Sequence, residues 1–257
     1  MEFRKIAALS CLAVAGLLTA GSAKASGFTG FYVGGNVGTA LGRSTATTST
    51  IDPPGGYFLA TDVAAIATAG AQHPSSTNFT GSGDAGFDIQ AGDLVVGVEG
   101  EFGYLGLNEQ QSTTETYPCC APTTFTISQS IKSNWELGVR PRAGLVFGRL
   151  LVYGTGGMAA TDLDYQEIFT DTFASALETG GEKKTALGWT VGGGVELRLA
   201  HRLSARAEYL YDNFGRVSTI STNLTITAPP ASYPENVFTL SANDRVHVFQ
   251  FGLDYRF

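Results

Sequence analysis

The chain has 257 residues, with sixteen basic and twenty-three acidic side chains, a net charge of −7 and thirty-three glycines. Such an acid excess excludes a nucleic-acid partner, which would reward phosphate neutralisation by Lys and Arg. Past the N-terminus no apolar run reaches eighteen residues; that excludes a spanning helix but not a barrel, whose strands need only about nine to eleven residues, half of them polar.

Met1–Lys5 carries Arg4 and Lys5, and Ile6–Ala20 is apolar except for Ser10, Gly16 and Thr19. Ala23-Lys24-Ala25 then offers small residues around a cleavage point before Ser26. Residues 1–25 are therefore expected to be a secretory signal peptide, because an apolar run of about fifteen residues falls short of the roughly twenty needed to span. Cys11 is no lipoprotein acceptor, since most of the apolar run follows it. The mature part, 26–257, keeps thirteen basic and twenty-two acidic groups, net −9.

Period-two alternation then recurs along the chain. It places a first strand at about Gly30–Leu41, with Phe31, Val33, Val37 and Leu41 opposed to Tyr32 and Asn36. Further strands are expected at about Gly81–Gln90, Leu94–Leu105, Ile131–Val146, Leu150–Thr161, Thr185–Leu199, Leu203–Asn213 and His247–Phe257. Tight turns fall near 91–93, 147–149 and 200–202, and long Ser/Thr/Pro/Gly/Asn-rich segments near 42–80, 106–130, 162–184 and 214–243. The long segments are expected to be mobile polar loops, with short helices at Asp62–Ala71 and Asp171–Glu178. Cys119 and Cys120 are adjacent, without metal-site spacing. They read as a loop feature rather than a redox or binding site, with a vicinal disulfide available in an oxidising compartment.

Alternating long and short connections require an even ring of eight strands. The expected fold is all-β: an eight-stranded antiparallel transmembrane β-barrel with four long extracellular loops and short periplasmic turns. The charges test the register. Within each strand, Asp84 and Asp88 share a side, as do Glu99 and Glu101; Glu136, Arg140 and Arg142; Glu196 and Arg198; Arg206, Glu208 and Asp212; and Asp254 and Arg256. A Lys or Arg facing lipid near the midplane costs roughly 2–4 kcal/mol, so these sides should face a polar lumen. Arg245 breaks the pattern, at a strand end where the cost is small. In the last strand, Phe249, Phe251, Leu253, Tyr255 and Phe257 share the apolar side. A terminal Phe preceded at two-residue steps by Tyr and apolar residues resembles the C-terminal assembly signal of outer-membrane barrels.

Several segments carry a family resemblance: Phe28-Thr29-Gly30-Phe31-Tyr32-Val33-Gly34-Gly35-Asn36, Val95-Val96-Gly97-Val98-Glu99-Gly100-Glu101-Phe102, Tyr153-Gly154-Thr155-Gly156-Gly157, Gly188-Trp189-Thr190-Val191-Gly192-Gly193-Gly194-Val195-Glu196, and Arg206-Ala207-Glu208-Tyr209. With the terminal strand, they resemble the small outer-membrane barrels of alphaproteobacteria, the immunogenic surface proteins of rhizobia and their pathogenic relatives. The resemblance implies a barrel shaped like the OmpA transmembrane domain, in the outer membrane of a Gram-negative cell. Some relatives are described as porins or haem binders, and the family has no shared catalytic motif.

The chemistry concentrates in the lumen. Glu99, Glu101, Arg140, Arg142, Glu196, Arg198, Arg206, Glu208, Asp254 and Arg256 are expected to form a cross-strand charge network that plugs the barrel. The alternative is a narrow path favouring cations, since nine acids oppose five bases on these strands. The glycine runs lack dinucleotide or Walker spacing. His247, with Ser241 nearby in sequence, is the one pairing that suggests a lipid-modifying enzyme, and no motif surrounds it. No catalytic residue, metal site or cofactor is expected. The expected role is structural and surface-exposed; loop-mediated adhesion or binding of a ligand such as haem, and a soluble lipocalin-like barrel, are the other readings. Expected partners are outer-membrane lipids, the barrel-assembly machinery and host or environmental ligands at the loops.

Overall fold

A computed structural model describes residues 27–257. The expected leader and its junction before Ser26 lie outside the described residues. The chain forms β1 (Gly30–Arg43), β2 (Thr45–Ser49), α1 (Ala60–Ala69), β3 (Ser75–Ala91), β4 (Leu94–Thr116), β5 (Thr124–Phe147), β6 (Leu150–Asp171), β7 (Leu177–Arg198), β8 (Leu203–Ser221), β9 (Thr225–Thr227), β10 (Pro230–Ser232) and β11 (Phe238–Arg256). All described strands belong to one antiparallel sheet of eleven.

The long strands pair with their sequence neighbours: β1 with β3, then β3·β4, β4·β5, β5·β6, β6·β7, β7·β8 and β8·β11. β11 returns to β1, with Val37 opposite Phe251 and Val33 opposite Tyr255, so the sheet closes on itself. The short β2 adds to β11, and the β9–β10 hairpin touches β7 through Leu177 and Thr225. The turn end is tight, as expected, with Gly92 and Gly148 both at positive φ.

The loop end corrects the sequence reading. Segments expected to be loops extend the strands: β4 runs to Thr116, β5 begins at Thr124, β6 reaches Asp171 and β7 begins at Leu177. The helix expected at Asp171–Glu178 is instead a strand end, a bend and a new strand. The helix expected at Asp62–Ala71 is α1, where the Asp62 carboxylate accepts the Leu59 N–H at 3.1 Å. β6 has 22 residues. At roughly 3.3 Å per residue and a tilt near 45°, it rises about 50 Å along the axis, against an apolar band of about 25 Å.

The surface changes character along that length. In the turn-end half the exposed side chains are apolar: Phe31, Val37, Phe87, Val98, Phe102, Leu137, Val139, Val191, Phe251 and Leu253 all exceed a third exposure. In the loop-end half the interior becomes apolar instead. Ala40, Phe58, Ile66, Leu107, Phe125, Ile127, Leu163, Phe169, Val217, Phe238 and Leu240 form a buried cluster around α1. Bulges help make the switch. β5 points even residues inward at Arg140 and Arg142, but odd ones at Phe125, Ile127 and Ile131, and its register with β6 shifts between Lys132 and Glu136. β8 switches at Gly215, whose φ of 75° suits a residue without Cβ.

Candidate functional site

The turn-end interior is filled by charge. Strand pairing sets Glu99 opposite Arg140, Glu101 opposite Asp84, Glu196 opposite Arg206 and Glu208 opposite Gln250. Arg140 binds Glu99 at 2.8 Å and Glu208 at 3.5 Å, and also pairs with Glu101. Arg206 binds Asp84 at 2.7 Å, Glu99 at 2.5 Å and Asp254 at 2.6 Å. Arg142 pairs with Asp88, and reaches Glu196 at 3.2 Å and Glu99 at 3.7 Å. Arg256 reaches Asp88 at 3.0 Å and Glu196 at 3.3 Å, and donates to the Phe28 carbonyl. Arg198 lies over the Phe28 ring, 4.8 Å from its centroid. All ten lumen residues singled out from the sequence thus point inward, buried except for the partly buried Glu101.

The site also recruits residues that the candidate set left out. Asp84 and Asp88 had shown the right parity, and each anchors an arginine. Tyr32 was visible only as the polar-side neighbour of Phe31. Its hydroxyl donates to Glu99 at 2.7 Å while its ring lies 4.5 Å from the Arg142 guanidinium and 4.9 Å from that of Arg256. Tyr153 and Gln250 donate to Glu208, each at 2.9 Å. Gly34 admits this crowding: a Cβ there would collide with the carboxylates of Asp254 and Asp84.

Such a network is an arrangement for holding charge. Glu99, Glu101 and Glu208 bring carboxylate oxygens within 4.8 Å of one another, but the Arg140 guanidinium pairs with all three. Beside it, the space between Thr80, Glu101, Glu136, Leu210 and Gln250 has room for about one water molecule. His247 faces outward, its Nδ1 2.8 Å from the Tyr209 hydroxyl. Ser241 lies six residues away along β11, about 20 Å at roughly 3.3 Å per residue, so the two form no catalytic pair. On the outer wall Phe249, Phe251, Leu253, Tyr255 and Phe257 are 41–66 % exposed; Phe257 lies 5.8 Å from Phe31, and Tyr255 accepts a hydrogen bond from Arg202 at 3.1 Å.

The loop end is knitted rather than loose, which corrects the expectation of mobile loops. Asp171 accepts hydrogen bonds from the Tyr57 and Tyr117 hydroxyls at 2.6 and 3.0 Å, and from the Ala174 and Ala176 amides. Asn236 accepts the Tyr57 N–H at 2.7 Å and donates to the Ile51 carbonyl at 2.9 Å. Cys119 and Cys120 form a vicinal disulfide. Ser44 bridges two buried carboxylates, donating to Glu109 and Asp244. Burial, reinforced by Asp244, pushes the Glu109 carboxyl up to about 8, and burial beside Glu178 pushes Glu167 up to about 10.

Residues 10–257 match the family described as the outer membrane protein beta-barrel domain. The chain belongs to this family. Over 232 residues it is 28 % identical to a 31 kDa outer-membrane immunogenic protein of Brucella melitensis, covering 90 % of this chain and 84 % of the relative. A 22 kDa outer membrane protein of Rhizobium leguminosarum is 30 % identical over 136 residues, about half of each chain at 53 %. Among solved structures, OprG of Pseudomonas aeruginosa aligns over 89 % of this chain and 97 % of its own with 12 % identity and a TM-score of 0.47. The protein is accordingly an outer-membrane β-barrel family member, with relatives named as surface immunogens, as the sequence segments had implied.

Proposed function

We propose that this protein is a closed, structural outer-membrane barrel that presents a rigid cap to the cell exterior. Its eight long strands form the spanning ring, while β2, α1, β9 and β10 belong to the extracellular cap. The observation that carries this reading is the interior: a ring of paired Arg and Asp/Glu side chains lies beneath an apolar core containing Phe58 and Ile66. An eight-stranded barrel is just wide enough for side chains to fill, and both layers obstruct a water path. No chemistry is assigned to the lumen, and the protein is read as a non-enzyme.

The apolar wall ending in Tyr255 and Phe257 would contact lipid and serve the barrel-assembly machinery as a recognition strand. The knitted loop ends would provide the surface seen by host or environmental ligands, adhesive partners and haem among them. A second reading has a specific observation behind it: nine acids face five bases inside, which would favour cations in a low-conductance pore. Planar-bilayer recording of the refolded protein separates the two. The closed reading expects a silent membrane; discrete, reproducible, cation-selective openings would replace it with the channel.

A further inference from the structure

Two glutamates in the cap stand apart from the lumen network. Glu167 on β6 and Glu178 on β7 lie within the loop-end core, 1 % and 0 % exposed. They are diagonal neighbours on one inner face: Glu178 is opposite Phe169, and Glu167 is opposite Gly180, which places no side chain between them. Among the described residues none of their four carboxylate oxygens has a partner in good hydrogen-bond geometry, although the two carboxyls face each other and Ser221 stands beside Glu178. Neither takes part in the arginine pairs of the lumen. A buried ionised carboxylate without a partner costs several kcal/mol, so the pair must take up either a proton or a cation.

Two more oxygens share the face. Gln129 on β5 is the direct cross-strand partner of Glu167 and 2 % exposed. Both of its amide hydrogens are committed, to Thr48 Oγ1 and the Gly70 carbonyl, each at 2.9 Å. Its Oε1 is therefore fixed as an oxygen, and it has no hydrogen-bond donor. Tyr165 stands two residues before Glu167 on the same side of β6, fully buried, with Thr48 beside its hydroxyl but no partner in good hydrogen-bond geometry.

We propose that Glu167, Glu178, Gln129 and Tyr165 form a buried site for a hard divalent cation of the calcium class. The donor set is all oxygen and its two carboxylates balance the charge of one such ion. It offers none of the nitrogen or sulfur ligands that zinc favours. Because the donors come from β5, β6 and β7, the ion would clamp three adjacent strands above the membrane. A proton shared between the glutamates is the competing occupant, and it predicts a stability indifferent to divalent cations.

Terbium luminescence excited through tyrosine tests the site on the refolded full-length mature chain at pH 8. The expected result is emission that calcium displaces, with terbium affinity weakened at least tenfold in E167Q/E178Q and dimmer emission in Y165F, at unchanged strand content by circular dichroism. Proteolysis of the wild-type cap should also be slower in calcium than in EDTA. Emission that is absent, or unchanged in the double variant, overturns the proposal. So does equal proteolysis in calcium and EDTA, which decides alone if the double variant does not fold.

Discussion

Arg206→Met is the sharpest perturbation of the lumen. Arg206 holds Asp84, Glu99 and Asp254 at 2.7, 2.5 and 2.6 Å, with all four side chains at most 3 % exposed. Glu99 keeps Arg140 and Tyr32 after the substitution, and Asp84 keeps the Asn36 amide at 2.9 Å, but Asp254 loses both of its hydrogen bonds from Arg206. Removing one partner of a buried pair costs about 3–5 kcal/mol because the remaining charge stays desolvated. That is roughly a hundredfold to a few thousandfold in the folding equilibrium. Urea titration of the protein in lipid vesicles, followed by tryptophan emission, reads the change. Adding Asp254→Asn should return part of the loss, since the orphaned charge is then gone. A loss below about 1 kcal/mol, in the range of exposed pairs, would refute the claim that this network is buried and structural.

Three other outcomes follow from the cap and the terminal strand. Phe58→Ala should cost about 3–5 kcal/mol of cap stability, making the loop end sensitive to thermolysin while the turn-end half stays resistant; equal resistance throughout would detach α1 from the core. Glu109 has its carboxyl raised to about 8 from an ordinary 4.5, so the folded cap binds this proton more tightly than the unfolded chain does. Its contribution to cap stability therefore falls as pH rises from about 4.5 to 8, and E109Q should lessen that decline in urea titrations at pH 5 and pH 9; an unaltered slope would show that the carboxyl is not desolvated. Phe257→Ala, on the exposed wall, should slow insertion of the chain in cells while leaving the urea midpoint of purified protein nearly unchanged; normal insertion would remove its assembly role.

The spanning half was legible because lipid imposes a rule that a sequence must obey: a charge on the wrong side of Glu99–Glu101 or Arg140–Arg142 would sit in hydrocarbon. The cap obeys a weaker rule. Its outside is water, so Thr124, Thr126, Ser128 and Ser130 face solvent while Phe125, Ile127 and Ile131 face a core, inverting the lipid-side pattern of the same strand. A bulge that reverses parity within one strand hides this from a single alternation template. β4 beyond Leu107 offers no apolar residue at all before Tyr117, and Asn108–Thr116 reads as loop although it is paired with β5 throughout. α1 was legible because Asp62 opens an apolar Ala-rich run; the tyrosines that tether Asp171 come from two distant loops and left no local signal. The ten lumen candidates stood out by parity, whereas Tyr32 and Tyr153 did not, because an aromatic residue is acceptable on either wall.

The chain contains two tryptophans, Trp135 and Trp189. Trp189 is 49 % exposed, Trp135 lies against Phe102 on the same apolar wall, and both stand near the loop-end limit of that wall. Quenching of their emission by acyl-brominated lipids tests the central partition of greasy exterior from charged interior. The account predicts strong quenching, greater for bromines near the headgroup than for bromines at the bilayer centre, with little effect of aqueous iodide. Emission untouched by brominated chains and quenched by iodide would place this wall in water and contradict it.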